Sequence, residues 1–279
     1  MGATWIQSFL VIAALVFGPE APGPVVPPEA PVARGRGPML LVGEELVYKV
    51  KYLFLNLGSI RIRVNDRRSV NGRTVYSATA FIDSRVPLIA DLHVRFDSEF
   101  DEEIYSYGWT AVDSSSDGVF IRTIRFDYAS NRMAVDRGRR ENMTYVIEKA
   151  DTFAVTERCQ DGLSLFFYAR EHVLERKEHT VPTVIDSEQV STYINFMNKP
   201  DEVDIGAVDY DVSVVEFDGR ADFVGIFGLT GGFEGSFSND DARVPILAYM
   251  NVLVGSVKIE LESWTRPGWS PPKAGKGSR

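Results

Sequence analysis

The chain has 279 residues, 44% hydrophobic, 25% charged and 11% aromatic, which excludes a wholly disordered, collagenous or multi-span membrane protein. Its net charge of −9 argues against general nucleic-acid binding, so no nucleic-acid partner is expected. A single cysteine, Cys159, excludes an intrachain disulfide framework and a multi-cysteine zinc site.

The first element is Phe9 to Phe17, an uninterrupted apolar run of nine residues. A membrane-spanning helix needs about 20 apolar residues, whereas the core of an export signal needs about 7–15. Residues 1–18 are therefore expected to be a signal peptide or a short anchor, and the chain to be exported to the periplasm or cell envelope. No Lys or Arg precedes the run and Pro19 and Pro22 follow it, so cleavage and retention both stay open. Membrane contact is expected through this segment. No cysteine stands directly after the run, which excludes lipidation of the bacterial lipoprotein kind.

Proline marks the next boundary. Seven of the 14 prolines lie between Pro19 and Pro38, and Pro267, Pro271 and Pro272 lie near the carboxyl end. Proline fixes φ and removes a backbone donor, so 19–38 reads as an extended linker and 265–279 as a disordered tail. Arg266, Lys273, Lys276 and Arg279 make that tail basic, with no acid among them. The first 38 residues balance, so setting the tail's +4 aside leaves −13 on the body, 39–264.

The body alternates with period two. Leu46, Tyr48, Val50, Tyr52 and Phe54 share one strand face, and Ile60, Ile62 and Val64 alternate with Arg61, Arg63 and Asn65. Asn56-Leu57-Gly58 between them reads as a hairpin connection. Further runs cover Val75–Ile82, Leu92–Phe100, Val119–Tyr128, Tyr145–Ile147, Val190–Met197, Val208–Phe217 and Phe223–Phe227. Phe233–Phe237, Val244–Val254 and Val257–Leu261 complete the set. One buried and one wet face is the pattern of antiparallel sheet. Asn71-Gly72, Asp117-Gly118, Asp218-Gly219 and Gly231-Gly232 read as turns. One segment departs from period two: Asp161 as N-cap, then Leu163, Phe166 and Phe167 at helical spacing, predicts a short helix at about 161–172. The fold class is mainly β: an antiparallel curved sheet or barrel-like domain with one short helix.

Three stretches carry a family resemblance. They are Gly43-Glu44-Glu45-Leu46-Val47-Tyr48 leading to Leu57-Gly58-Ser59, Asp161 to Arg170, and Gly225-Ile-Phe-Gly228 with Phe237 to Pro245 and Val254-Gly255-Ser256-Val257. With these the chain resembles a family of exported bacterial proteins known only as a domain of unknown function. The resemblance covers about Gly43 to Trp264 and implies export and a curved, barrel-like sheet. It brings no catalytic residues to carry over.

Candidate chemistry is sparse. Asp97, Glu99, Asp101 and Glu103 fall on one strand face, but next-nearest residues on a strand are about 6.5–7 Å apart, too far for one ion to use all four. They read as a solvated acidic face. His93, His172 and His179 show no metal-ligand spacing; His172 and His179 would share a face only on a continued helix, against which Pro182 argues. No metal site, cofactor or catalytic residue is assigned. Cys159 reads as a buried, inert thiol. The glycines at Gly225, Gly228, Gly231, Gly232 and Gly235 do not form a phosphate loop.

Asp240, Asp241 and Arg243 read either as a ligand contact or as a turn closed by a local ion pair. With Phe166 and Phe167 on the predicted helix they form the candidate ligand-binding set. Seventeen Phe, 11 Tyr and 4 Trp allow an apolar cavity as well as a filled core. The first functional expectation is a non-enzymatic carrier of a lipid or other apolar ligand. The second is a structural or protein-interaction module of the envelope with a filled core and a protein partner. The third is a hydrolase using the acidic clusters.

Overall fold

The computed structural model describes residues 39–275 apart from 87–89, 116–117, 143, 225–229 and 253–254. The expected signal or anchor at 1–18 and the linker at 19–38 lie outside the described residues.

The first half of the body is a run of hairpins: β1 (Glu45–Tyr52), β2 (Leu55–Val70), β3 (Arg73–Val86), β4 (Ala90–Asp101), β5 (Ser106–Ser115), β6 (Gly118–Asp127), β7 (Arg132–Glu141) and β8 (Thr144–Ala154). After α1 (Ser164–His172) come β9 (Lys177–Ile185), β10 (Glu188–Val203), β11 (Val212–Val224), β12 (Thr230–Ser238), β13 (Pro245–Asn251) and β14 (Ser256–Thr265). All belong to one antiparallel sheet, ordered β8 to β1 and then β14 to β9. The first strand therefore pairs with the last, with Val50 opposite Ile259. Among the described residues the chain adopts the expected mainly β fold with one short helix.

The alternation is borne out where one face is wet. Leu46, Tyr48 and Val50 of β1 are buried, as are Ile62 and Val64 of β2. The β1–β2 reversal, however, sits at Leu53-Phe54, with Leu53 at φ +52°, rather than at Asn56-Leu57-Gly58. Gly58 lies inside β2, where an added Cβ would stand 2.0 Å from the Asp83 carbonyl oxygen. Its glycine serves a close backbone approach, not a turn. The same correction applies to Asp218-Gly219, which lies within β11; a Cβ on Gly219 would stand 2.4 Å from the Phe233 ring. Asn71-Gly72 is a turn, both residues having positive φ.

The ends of the sheet, β8 and β9, share no ladder, yet the intervening chain stitches them together. Gln160 pairs in parallel with Thr183 of β9: its N–H donates to the Pro182 carbonyl and its own carbonyl accepts from Val184 N–H, both at 2.8 Å. Gln189 Nε2 donates to the Ala154 carbonyl at the end of β8 (2.9 Å). Asp186, in the β9–β10 turn, pairs with Arg122 of β6 at 2.8 Å and Arg137 of β7 at 3.3 Å. Val184 packs with Ile124, Met133 and Val135, so the sheet curls until its ends share a small core.

Helix α1 lies against the main core. Phe167 is fully buried and stacks on Phe100 at 5.1 Å, and Phe166 meets Tyr48 edge-on at 6.3 Å. Burying a side chain of this size is worth about 1.5–3 kcal/mol. Asp161 holds the helix start, its Oδ1 accepting from the N–H groups of Leu163 (2.7 Å) and Ser164 (2.9 Å).

Residues 265–275, expected as part of a disordered tail, instead pack against the body; 276–279 lie outside the described residues. Two indoles and a row of carbonyls hold the packed segment. Trp264 Nε1 donates to the Trp269 carbonyl (3.1 Å), and Trp269 Nε1 to Asp240 Oδ2 (2.7 Å). Pro272 has no N–H, but its carbonyl accepts from Ser213 N–H at 2.8 Å. Two of the tail's cations also work locally: Arg266 pairs with Glu44, and Lys273 sits 5.5 Å from the Tyr210 ring centre.

Candidate functional site

Of the expected ligand set, only Asp240 and Arg243 meet, in a turn beside the carboxyl end of α1; Asp241, Phe166 and Phe167 lie apart from it. Arg243, its side chain 2% exposed, donates from Nη1 to the Glu171 carbonyl (2.8 Å) and lies 3.4 Å from the Glu171 carboxylate. Asp240 turns the chain: Oδ1 accepts from Ser238 Oγ (2.7 Å) and from the N–H groups of Ala242 and Arg243 (3.1 Å each). With Trp269 on Oδ2, its bonds are to its own fold, the geometry of a structural turn. Asp241 stays exposed outside this network. Phe166 and Phe167 are packed into the core rather than lining a cavity.

Beside this turn lies a buried ionic centre that joins four distant parts of the chain. The Arg170 side chain is 0% exposed and that of Glu44 is 2%. Arg170 Nη1 meets Glu44 Oε1 at 2.5 Å and Nη2 meets Oε2 at 3.3 Å, a two-pronged pair. Arg170 also donates to the carbonyls of Ala242 (2.9 Å), Arg243 (3.2 Å) and Met39 (3.3 Å). Arg266 pairs with the second Glu44 oxygen and donates to the Met39 carbonyl at 3.2 Å. One carboxylate thus faces two guanidiniums, and carbonyl oxygens take up further donors.

A second buried carboxylate, Asp161, accepts from Ser98 Oγ and Ser106 Oγ at 2.6 Å each, besides the two helix N–H groups. Burial pushes its pKa up, and these hydrogen bonds oppose the rise. The acidic stretch on β4 is likewise an ion-pair ladder: Asp97 pairs with Arg95 at 2.9 Å, Glu99 with Arg68 at 2.5 Å, and Asp101 with Arg73 at 3.4 Å and also with Arg158. Asp101 is buried, so this stretch is not a wholly solvated face.

Two of the three histidines meet. Helix α1 ends at His172, and the chain reverses through residues 173–176, with Arg176 at φ +53°, before β9 starts at Lys177. His179 on β9 therefore returns beside His172, ring centres 4.9 Å apart. Glu175 lies between them, 2.7 Å from His172 Nδ1 and 3.1 Å from His179 Nε2. Tyr168 Oη is 2.8 Å from His179 Nδ1. Burial, then the neighbouring His172, lower the His179 pKa, which favours the neutral imidazole. This trio brings three donor atoms of metal-binding type together.

Cys159 is buried, and burial pushes its thiol up to about 12. The thiolate is the reactive form, so a disulfide reagent is expected to label native Cys159 at least ~10-fold more slowly than the urea-unfolded chain. Equal rates, read by absorbance of the released thiol, would refute the assignment of an inert cysteine.

Two grooves among the described residues open to solvent. One, of about 410 Å³, is lined by Lys49, Asn56, Asp83, His93 and Glu262 among others, and a smaller one of about 220 Å³ shares Asp83 and His93.

A barrel-like antiparallel sheet with a helix locked to it by a buried ionic centre is the class these features define. The chain belongs to the family described as Protein of unknown function (DUF3108), which matches residues 47–262, well over half of its length. No curated protein matches it. Among solved structures it is similar to the beta-barrel-like protein of domain of unknown function DUF1849 from Brucella abortus, at 11% identity and a TM-score of 0.49 over 81% of this chain and 98% of that one. The expected kinship with a β-rich family of unknown function is borne out.

Proposed function

We propose that this protein is a non-catalytic interaction module of the cell envelope, a filled β scaffold that pairs through strand β8 with an extended segment of a partner polypeptide. The observation that carries this reading is where the apolar surface lies. The aromatic residues that allowed a cavity are largely packed together, as in Tyr76–Phe100–Phe167 and Phe217–Phe237. By contrast Tyr145, Val146 and Ile147 stand 43%, 39% and 50% exposed on β8. That strand ends the sheet and pairs with β7 alone among the described strands. Such an edge offers a row of backbone donors and acceptors to an added strand, and alternate side chains give specificity. At the other end of the sheet, the Gln160 bridge occupies part of β9. The apolar run Phe9 to Phe17 supports export.

A photo-crosslinking residue at Val146, in the full chain expressed in its own cells, is expected to capture one discrete polypeptide. Ile147→Lys should reduce that capture about tenfold, equivalent to about 1.4 kcal/mol of binding, and leave the melting temperature nearly unchanged. Equal capture from Tyr193 on β10, or none from Val146, would overturn the edge-strand reading. Native mass spectrometry addresses the competing carrier: a recurrent lipid mass on the purified chain would replace the module by a lipid binder.

A further inference from the structure

We propose that His172, Glu175 and His179 form a binding site for one divalent transition-metal ion of the zinc type, clipping the end of α1 to the edge strand β9. This goes beyond the interaction module and stands on separate residues. Two imidazoles and one carboxylate are the donor set of three-ligand zinc sites, which keep a fourth position for water. Their donor atoms lie within 4.8 Å of one another. Tetrahedral zinc with bonds of about 2.1 Å holds its ligand atoms about 3.4 Å apart. Side-chain rotation alone therefore closes the set.

The surroundings hold it in place. Tyr168 Oη, 2.8 Å from His179 Nδ1, can accept that ring's N–H and turn Nε2 toward Glu175. The reversal is pinned from both sides: Glu175 N–H donates to the His172 carbonyl (2.9 Å), and Asn198 Nδ2 donates to the Leu174 carbonyl (2.9 Å). Phe196, fully buried, forms the floor, its ring 5.1 Å from that of His179. The His172 and Glu175 side chains are 22% and 26% exposed, which leaves an entry path for the ion. Imidazole and carboxylate together suit zinc or its neighbours better than calcium or magnesium, which prefer all-oxygen shells.

The test uses the full chain, stripped with a chelator and titrated with cobalt(II) chloride and then zinc chloride. One equivalent of cobalt should give visible absorption of tetrahedral strength, displaced by zinc, and zinc should raise the melting temperature. The chain has three histidines. In the unmutated protein, ring-nitrogen NMR should therefore show zinc shifting His172 and His179 and leaving His93 in place, a readout that needs no variant to fold. His172→Ala and His179→Ala should each weaken zinc at least ~10-fold, and Tyr168→Phe about 10-fold through the orienting bond. Absence of a stoichiometric cobalt spectrum, zinc shifts confined to His93, or undiminished affinity in the His172→Ala/His179→Ala double variant would each overturn the proposal.

Discussion

Glu44→Gln is expected to cost the fold about 3–5 kcal/mol, because it leaves two guanidiniums facing each other without their shared anion. Arg170 is fully buried and Arg266 is 10% exposed, so neither reaches bulk water for compensation. For a domain of this size each kcal/mol shifts the melting temperature by about 2–4 °C, so a fall of roughly 6–20 °C should appear in a thermal melt. Arg170→Met should lose less, since Arg266 still neutralises Glu44. Replacing both buried partners together, Glu44→Leu with Arg170→Met, should recover part of the loss, as apolar exchange of whole buried pairs often does. A Glu44→Gln melt within about 1 °C of the unmutated chain would remove the ionic centre from the list of what holds α1.

Asp161→Ala should cost at least about 4 kcal/mol. It removes the acceptor for two helix N–H groups and two serine hydroxyls, all buried, and unmet buried donors cost about 1–3 kcal/mol each. Asp161→Asn keeps one acceptor and should lose less. The same residue sets a pH dependence. Burial raises its folded-state pKa above the ordinary 3.8. The folded state therefore binds this proton more firmly than the unfolded chain. Its contribution to stability is complete below 3.8 and is lost as pH rises through the folded value. The advantage of the unmutated protein over Asp161→Asn, from urea midpoints across a pH series, should shrink as pH rises. An advantage that stays constant, or grows, would sink this account.

Much of the sheet is legible in the sequence because many strands have a wet face. β1, the middle of β2 and β14 alternate cleanly, and Asp161 before Leu163, Phe166 and Phe167 marks the helix start. β5, β7 and β9 are not legible by the same rule. Arg132–Glu141 buries Met133 and Val135 but carries Arg137, Arg139 and Arg140 as well, which find carboxylates and carbonyls on adjoining segments. Pro182 reads as a breaker, yet β9 ends the sheet, where a missing N–H is tolerated. The turn at Asp240 is visible as a local cluster. The ionic centre is not, since its members stand 126 and 222 residues apart. Glu44 and Asp161 fall inside the stretches that carried the family resemblance, but as plain carboxylates among many. The histidine pair is hidden for a different reason: a spacing of seven shares a face only on a continuing helix, and the chain instead doubles back between them.

The pairing of β1 with β14 governs the order in which the molecule can assemble. Nearly all the ladders join neighbours in sequence and close short loops, which is fast and entropically cheap. The central ladder joins Glu45 to Thr265, so its loop spans almost the whole body. During synthesis β1 emerges early and must wait, with one edge open, until the last strand is released. The two halves can fold as separate curved sheets, each with an exposed edge, and become one body when the carboxyl strand arrives with Arg266 to meet Glu44. The nascent chain is therefore most prone to wrong edge-to-edge association before its final residues appear, and the ionic centre closes last.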